Sequence, residues 1–258
     1  MMKLILQEQR VTELFLKTIY FYRRKGLTLT LRRIASILSR DPKYTFSEIY
    51  RNNHWGNSES VSGVGSTEFA TRGIREHLPI ILSKWGITKL IDAPCGDFNW
   101  FKLVQLTKDM SYTGIDIVPA LIGENNKKYA DANHRFILAD ITTDPLPFAD
   151  ILICRDCLFH LSYKDIFKFL RNFVISGTPF LLTTTYKNES KFQNSDILTG
   201  EVRLIDLFSA PFSLPPNVAY RFDDFVPPDE PREMCLWNRD QIMGALSSPG
   251  PKKSVAAF

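Results

Sequence analysis

The sequence predicts an α/β fold in which a doubly wound, mostly parallel sheet carries helices on both faces. The first observation behind this prediction is that short apolar runs alternate with segments of helical spacing between residues 89 and 187. The second is that three of these runs end on an acid, at Asp92, Asp116 and Asp140. Loops at the carboxyl ends of parallel strands bind ligands in open sheets. With 258 residues and 44% hydrophobic content, the chain can form one such domain with an added segment.

The alternation predicts the individual elements in order. Strands are expected at residues 89–93, 112–116, 135–139, 150–155 and 180–185, and the last two at 221–225 and 233–237. Helices are expected at residues 99–106, 119–130 and 163–173, and the last of these has Ser162 as its N-cap and Gly177 as its end. Six prolines between residues 211 and 231 break the alternation and predict loops before and after the sixth strand.

The N-terminal segment differs from the rest in charge. Residues 1–40 contain nine basic residues and two acids, a charge of +7, whereas the whole chain is +4, which leaves −3 for the remainder. Apolar residues at helical spacing predict a basic helical extension over residues 1–45. This extension either packs on the domain or lies on an anionic membrane surface. The acidic remainder argues against a nucleic-acid partner.

Residues 46–88 are expected to form a loop and a leading helix. The stretch 41–66 is interpreted as loop and short turns, with Trp55 and several glycines, and serves either as a lid over a site or as a plain linker. No strand precedes it, which excludes a P-loop. A helix is expected from residue 67, kinked or restarted at Pro79 and ended at Gly86. The core is expected over residues 89–245, followed by a disordered tail over 246–258.

The turn after the first strand discriminates between cofactors. Dinucleotide-binding turns use three glycines so that backbone N–H groups can approach a pyrophosphate. Here Pro94 and Phe98 occupy the first and third glycine places, and only Gly96 remains. Asp97 adds a negative charge where a phosphate would lie. The turn therefore favours a nucleoside that carries cationic groups instead of a diphosphate.

These residues resemble those of the class I S-adenosylmethionine-dependent methyltransferases, over roughly Leu90 to Lys187. From about Phe46 to Trp237 the chain also resembles a bacterial group of methyltransferases to which no acceptor is assigned. The resemblance implies a Rossmann-like fold, S-adenosylmethionine as the cofactor and a small-molecule or glycan acceptor. Asp116 would accept hydrogen bonds from the ribose hydroxyls, and Asp140 would accept one from the adenine amino group. The full set of expected cofactor-binding residues is Asp92, Pro94, Gly96, Asp97, Asp116, Ile117, Asp140, Ile141 and Arg155.

The loop after the fourth strand is expected to face the transferred methyl group. Methyl transfer to a hydroxyl requires alignment of the acceptor and removal of a proton. His160 is the first candidate for the base, and Asp156 is its alternative or its orienting partner. Arg155 could hold an anionic acceptor. The structural alternatives are that His160 packs at a helix start and that Arg155 pairs with Asp156.

The sequence thus predicts an S-adenosylmethionine-dependent methyltransferase that acts on an oxygen atom. A non-catalytic nucleoside-binding scaffold and an NAD-dependent oxidoreductase are the alternatives. Four cysteines do not form a disulfide framework, which favours a cytoplasmic protein, able to sit peripherally at the inner membrane surface. Cys154-x-x-Cys157, with Cys95 and His160, is a weak zinc signal, and we expect no metal.

Overall fold

The structure is a computed structural model that describes residues 41–247. The expected helices within residues 1–40 and most of the expected tail lie outside the described residues. All seven expected strands are present, each shifted by at most two residues at either end. They are β1 Lys89–Asp92, β2 Ser111–Asp116, β3 His134–Leu138, β4 Ile151–Cys154, β5 Phe180–Tyr186, β6 Tyr220–Asp223 and β7 Arg232–Asn238.

The strands form one sheet in the order β3-β2-β1-β4-β5-β7-β6. The first five strands are parallel, and β7 runs antiparallel to both β5 and β6. The order reverses direction between β1 and β4, so their carboxyl ends flank the crevice where such sheets bind ligands. The sheet confirms the predicted doubly wound, mostly parallel fold.

Helices cover both faces of this sheet. They are α1 Pro42–Arg51, α2 Arg72–Lys84, α3 Pro119–Tyr129, α4 Tyr163–Ser176 and α5 Arg239–Ser247. Successive side chains of a strand point to opposite faces, and Leu90 and Ile91 accordingly belong to two separate core clusters. Leu90 packs with α2 and α3, whereas Ile91 packs with α4 and α5. None of the helices within residues 41–247 has the length and apolar content needed to cross a membrane.

The helix α1 corrects the interpretation of residues 41–66 as loop and turns. Asp41 accepts the Lys43 N–H at 2.9 Å and caps the helix, while Pro42 occupies the first helical turn. Both are standard signals of a helix start. The buried face of α1 is partly polar, with Thr45 and Glu48 beside Ile49, so apolar spacing did not reveal it.

Three other boundaries differ from the sequence-based expectation. The expected helix at 99–106 is only a 3₁₀ turn, Phe101–Leu103, because the preceding Phe98 has φ +59° and Val104 is extended. The helix expected from residue 67 begins at Arg72, and Pro79 lies inside it without ending it. The helix α5, which was not predicted, runs to the end of the described chain and includes two residues assigned to the tail.

Candidate cofactor and acceptor site

A cavity of about 370 Å³ lies at the carboxyl ends of β1 to β5. A volume of this order is typical of small-molecule sites. Ten of the eleven residues predicted from the sequence line it: Asp92, Pro94, Gly96, Asp116, Ile117, Asp140, Ile141, Arg155, Asp156 and His160. The topology therefore brings the strand-end acids and the loop after β4 to one place. Asp97 is the predicted residue that does not line the cavity.

The backbone N–H groups of the turn after β1 already have partners. The N–H of Gly96 donates to Asp116 Oδ2 at 3.0 Å, and the N–H of Asp97 donates to Ser62 Oγ at 3.0 Å. The N–H groups of Cys95 and Phe98 donate to backbone carbonyls at 2.8 and 3.3 Å. A diphosphate needs free N–H groups at such a turn, and these four are already engaged.

The backbone of the turn explains which glycine is present and which is replaced. Gly96 has φ +53°, and a Cβ atom there would lie 2.2 Å from Ser62 Oγ, so only glycine fits. Phe98 has φ +59° but buries its ring among aromatic side chains, 5.0 Å from the ring of Tyr112 and 5.2 Å from that of Phe136. Burial of a large ring offsets a backbone strain of about 1 kcal/mol.

Asp116 and Asp92 are buried acids in the wall of the cavity. Asp116 accepts the N–H groups of Gly96 and Val118, one on each carboxylate oxygen. Asp92 accepts the Tyr112 hydroxyl at 2.9 Å. Burial raises the pKa of Asp116 to about 6 and that of Asp92 to about 7, although these hydrogen bonds act to lower both values. A carboxylate with a raised pKa gains from a cationic neighbour, so the wall favours a positively charged ligand.

Asp140 lies at the third strand end. Its Oδ1 accepts both the N–H and the hydroxyl of Thr142 at 2.8 Å, and Oδ2 is available to a ligand. Ile117 and Ile141 follow the second and third acids directly and line the same cavity. An acid beside an apolar side chain suits a purine, which offers an amino group at its edge and an apolar face.

Asp97 binds the chain instead of the cavity. Its carboxylate accepts the hydroxyls of Ser60 and Ser62 at 2.9–3.1 Å and the N–H of Val61 at 3.0 Å. These residues belong to the loop 52–71, which we call the lid loop. The predicted contact of Asp97 with the cofactor is therefore replaced, in the structure, by contacts that fasten this loop to the turn.

The lid loop covers the cavity and has two further anchors. Asn99 donates to Glu59 Oε1 at 2.9 Å and to the Ser66 carbonyl at 3.0 Å. Arg155 Nη1 donates to the Gly65 carbonyl at 2.7 Å. Trp55 and the residues from Val61 to Ser66 line the cavity. Of the two interpretations of this loop from the sequence, lid or plain linker, a lid needs this position beside the cavity, and the role of a lid stays a prediction.

Arg155 and Asp156 pair with each other at 3.3 Å, as one of the sequence-based alternatives stated. Arg155 is buried, and its Nε donates to Asp224 at 2.6 Å. Asp156 also contacts the guanidinium of Arg232 at 3.3 Å and accepts the Thr184 hydroxyl at 3.2 Å. The guanidinium groups of both arginines are thus neutralised by carboxylates of this chain.

His160 lies on the 3₁₀ turn Leu158–His160, beneath Trp55, whose ring centroid is 5.5 Å from the imidazole. Its Nδ1 is 2.9 Å from the Glu201 carbonyl oxygen. Because a carbonyl can only accept, Nδ1 carries the hydrogen and Nε2 of the neutral ring has the free lone pair. Burial lowers the pKa of His160, and the charge of Arg203 acts in the same direction. The ring is therefore neutral near pH 7 and able to accept a proton.

Several lining residues were not found from the sequence. Phe46 and Tyr50 belong to α1, and the Asp-Pro pair at its start was the available signal. Asp229 and Arg232 come from the proline-rich segment before β7 and from the first residue of β7, where no motif marks them. Their placement depends on strand pairing across the sheet, which residue spacing does not reveal.

Arg203 and the cysteines lie close to the site. The Nη1 of Arg203 donates to the carbonyls of Phe159 and Leu158, at 3.0 and 3.4 Å. The four cysteines are buried and unpaired. Within residues 41–247 no group of three or more His, Cys, Asp or Glu side chains is arranged to hold a metal ion.

Known proteins resemble this chain in structure alone. No protein-family model matches it, and no curated protein sequence matches it. A methyltransferase of Leishmania major that depends on S-adenosylmethionine superposes with a TM-score of 0.57 and 16% identity, over 76% of this chain and 85% of that one. Human N-acetylserotonin methyltransferase, solved with S-adenosylmethionine, superposes with a TM-score of 0.50 and 13% identity, over 85% of this chain and 69% of that one. Magnesium protoporphyrin IX methyltransferase from Synechocystis PCC 6803, also with S-adenosylmethionine bound, superposes with a TM-score of 0.50 and 12% identity. The match covers 76% of this chain and 96% of that one.

At identities this low, the structural similarity establishes the fold alone, and the function has to be argued from the residues of the site. The doubly wound, mostly parallel sheet and the acids at the strand ends agree with the expectation from the sequence. The chain has the Rossmann-like fold of the class I S-adenosylmethionine-dependent methyltransferases.

Proposed function

We propose that this protein is an S-adenosylmethionine-dependent methyltransferase that methylates an oxygen atom of a small-molecule or saccharide acceptor. One observation carries the proposal. Acids from three separate strand ends, Asp92, Asp116 and Asp140, line one cavity beside a turn whose backbone N–H groups are already bonded. This combination suits a cationic nucleoside and disfavours a dinucleotide, which needs those N–H groups for its phosphates.

The residues present fit this cofactor part by part. Each carboxylate oxygen of Asp116 retains a lone pair that can accept from a ribose hydroxyl. Asp140 Oδ2 can accept from the adenine amino group. Ile117 and Ile141 supply apolar contact. Pro94, Gly96 and Asp92 would surround the methionine half, whose ammonium and sulfonium groups complement buried acids. When bound, the cofactor supplies an electrophilic methyl carbon.

The chain's own residues prepare the acceptor. His160 Nε2 would take the hydroxyl proton, since Nδ1 is committed to the Glu201 carbonyl. Asp156 is close enough for its charge to favour the protonated imidazole that forms. Trp55 and the lid loop line the cavity and would shield the reacting groups from water once the ligands are bound. General base catalysis of this kind contributes about 10² to 10⁴-fold.

The charge of the acceptor half favours a neutral, hydroxylated acceptor. Arg155 is paired with Asp224 and Asp156, and Arg232 with Asp156 and Asp229. An anionic acceptor would have to compete with these carboxylates for the two guanidinium groups. Arg155 therefore supports the wall of the site in this proposal and does not bind an anion.

Isothermal titration calorimetry tests the cofactor assignment. The full chain is titrated with S-adenosylmethionine, S-adenosylhomocysteine and NAD. We expect both sulfur nucleosides to bind and NAD to give no heat, and Asp116→Ala to remove the binding while the protein stays folded. Binding of NAD alone would support an oxidoreductase. Tight cofactor binding without methyl transfer to any member of a hydroxylated acceptor panel would favour the scaffold alternative.

We further propose that the protein works in the cytoplasm and touches the inner membrane surface through residues 1–40. In support, the +7 segment leads directly into α1, whose Pro42, Phe46 and Tyr50 line the cavity. Vesicle co-sedimentation tests this. The chain should bind vesicles of anionic lipid and not neutral ones, and replacement of Arg23, Arg24 and Lys25 by Glu should abolish the binding. Equal binding to both vesicle types would contradict it.

A further inference from the structure

We propose that Arg203 is a positioning residue that fixes His160 in the tautomer able to accept a proton at Nε2. The inference builds on the proposed role of His160 as a base. Arg203 does not itself line the cavity. It acts through the short turn on which His160 lies.

The first group that holds the turn of His160 is the guanidinium of Arg203. Its Nη1 donates to the carbonyls of Phe159 and Leu158, the two residues that precede His160 in the 3₁₀ turn. The backbone N–H of Arg203 donates to the same Phe159 carbonyl at 3.2 Å. Two donors of one residue therefore hold the carbonyls of this turn.

The second group that holds this turn is the backbone just before Arg203. The N–H of Gly200 donates to the His160 carbonyl at 2.8 Å, and the Glu201 carbonyl accepts from His160 Nδ1 at 2.9 Å. The segment Thr199–Arg203, which we call the clamp, thus contacts all three residues of the turn. Since the clamp presents a carbonyl to Nδ1, the ring must keep its hydrogen on that atom and its lone pair on Nε2.

The energetic position of Arg203 is unusual for a structural residue. It is 9% exposed, and no carboxylate within residues 41–247 comes within 4.0 Å of its guanidinium. Its Nε and Nη2 have no hydrogen-bond partner, and the Tyr163 ring lies 5.4 Å from the guanidinium carbon. A buried cation with no carboxylate in direct contact is costly, and the charge of Asp196 favours it only from beyond 4.0 Å. An apolar side chain would fill this volume at lower cost but would not hold the two carbonyls.

The charge of Arg203 also acts on His160 directly. The charged groups that influence the imidazole are Asp156, after β4, whose charge raises its pKa, and Arg203, on the clamp, whose charge lowers it. Trp55 from the lid loop and Phe159 contribute uncharged rings at 5.5 and 4.5 Å. Burial is the largest cause of the lowered pKa, and removal of the positive charge of Arg203 would take away the second cause and raise the pKa of His160.

Nuclear magnetic resonance of ¹⁵N-labelled histidine tests this without any ligand. The chain has four histidines, and the spectrum of His160→Gln assigns the signal of His160. We expect the wild-type ring to show Nδ1–H and an Nε2 lone pair. In Arg203→Met we expect a mixture of tautomers and a raised pKa of His160. Arg203→Lys, which keeps the charge and loses the fork geometry, should preserve the pKa and lose part of the tautomer preference.

The control is Arg171→Met, which removes an exposed arginine of α4 and should change neither property. An Nε2–H tautomer in the wild type, or an unchanged tautomer and pKa in a folded Arg203→Met protein, would overturn the inference. If Arg203→Met does not fold, Arg203→Lys decides it by its tautomer ratio. Failure of the wild type to bind S-adenosylmethionine would instead contradict the proposed function, because the histidine measurement requires no cofactor.

Discussion

Ser62 and Asp97 form a reciprocal pair: the Ser62 hydroxyl donates to the Asp97 carboxylate at 3.1 Å and accepts the Asp97 backbone N–H at 3.0 Å. The two residues lie 35 positions apart, on the lid loop and on the turn after β1. The lid loop is therefore bonded to the turn that carries the first wall of the cavity. An event that moves one of them, such as entry of a ligand, must act on the other.

The first prediction concerns this pairing. Asp97→Ala leaves the hydroxyls of Ser60 and Ser62 and the Val61 N–H without their acceptor, which costs about 1–3 kcal/mol. We expect amide hydrogen exchange in residues 57–66 to become about 10-fold faster or more, because the loop opens more often. Asp109→Ala, at an exposed acid outside the lid loop, serves as the control. Unchanged exchange in the lid loop would show that other contacts hold it.

The second prediction compares two glycines. Gly96→Ala places a Cβ atom 2.2 Å from Ser62 Oγ at a positive φ, whereas Gly123 in α3 has no neighbour within 4 Å of such an atom. We expect Gly96→Ala to lower the free energy of unfolding by more than about 1 kcal/mol and to displace the lid loop. Gly123→Ala should raise it by up to about 1 kcal/mol. Urea denaturation of both variants measures this, and equal effects would refute the role given to Gly96.

The third prediction concerns Phe98, which stands where related turns carry glycine. Truncation of its ring should cost several kcal/mol, since it lies within an aromatic cluster. At φ +59° glycine is less strained than alanine. We therefore expect Phe98→Gly to be more stable than Phe98→Ala by about 1 kcal/mol. An alanine variant as stable as the glycine variant in chemical denaturation would contradict the conformation described here.

The fourth prediction is a pH dependence. The pKa of Asp92 is raised to about 7 and that of Asp116 to about 6, against about 3.9 in an unfolded chain. The folded protein thus binds more protons than the unfolded chain between about pH 4 and about pH 7, so these two acids make the free energy of unfolding fall as pH rises.

The matched variant for this effect is Asp92→Asn, which keeps an oxygen that can accept from Tyr112. We expect it to be more stable than the wild type above about pH 7 and to show a smaller decrease across that window. Comparison of the two proteins by denaturation at several pH values isolates Asp92 from the histidines, which titrate in both. Parallel curves would show that Asp92 is ionised in the folded protein at neutral pH.

The sequence predicted the parts of the site that depend on strand ends. Asp92, Asp116 and Asp140 end apolar runs, and a parallel sheet necessarily brings such ends to one edge. The residues Ile117, Ile141 and His160 follow from the same placement. This logic needs only the identity of each strand and the direction of its neighbours, both of which leave a periodic signal in the chain.

The contacts that span the chain left no such signal. Asp97 meets its serine partners from a loop some 35 positions earlier, and Arg155 meets Asp224 at a separation of 69 positions. Arg203 contacts carbonyls, which every residue possesses, so no residue type marks its partners. Tertiary packing decides each of these pairings, and they determine how the lid loop and the His160 turn are held.

The decisive experiment is a crystal structure of the protein with S-adenosylhomocysteine. We expect the ribose hydroxyls within hydrogen-bonding distance of the Asp116 carboxylate and the adenine amino group beside Asp140. The sulfur atom should lie in the half of the cavity that contains His160 and Trp55. An empty cavity at saturating ligand, or a purine bound away from both carboxylates, would contradict it.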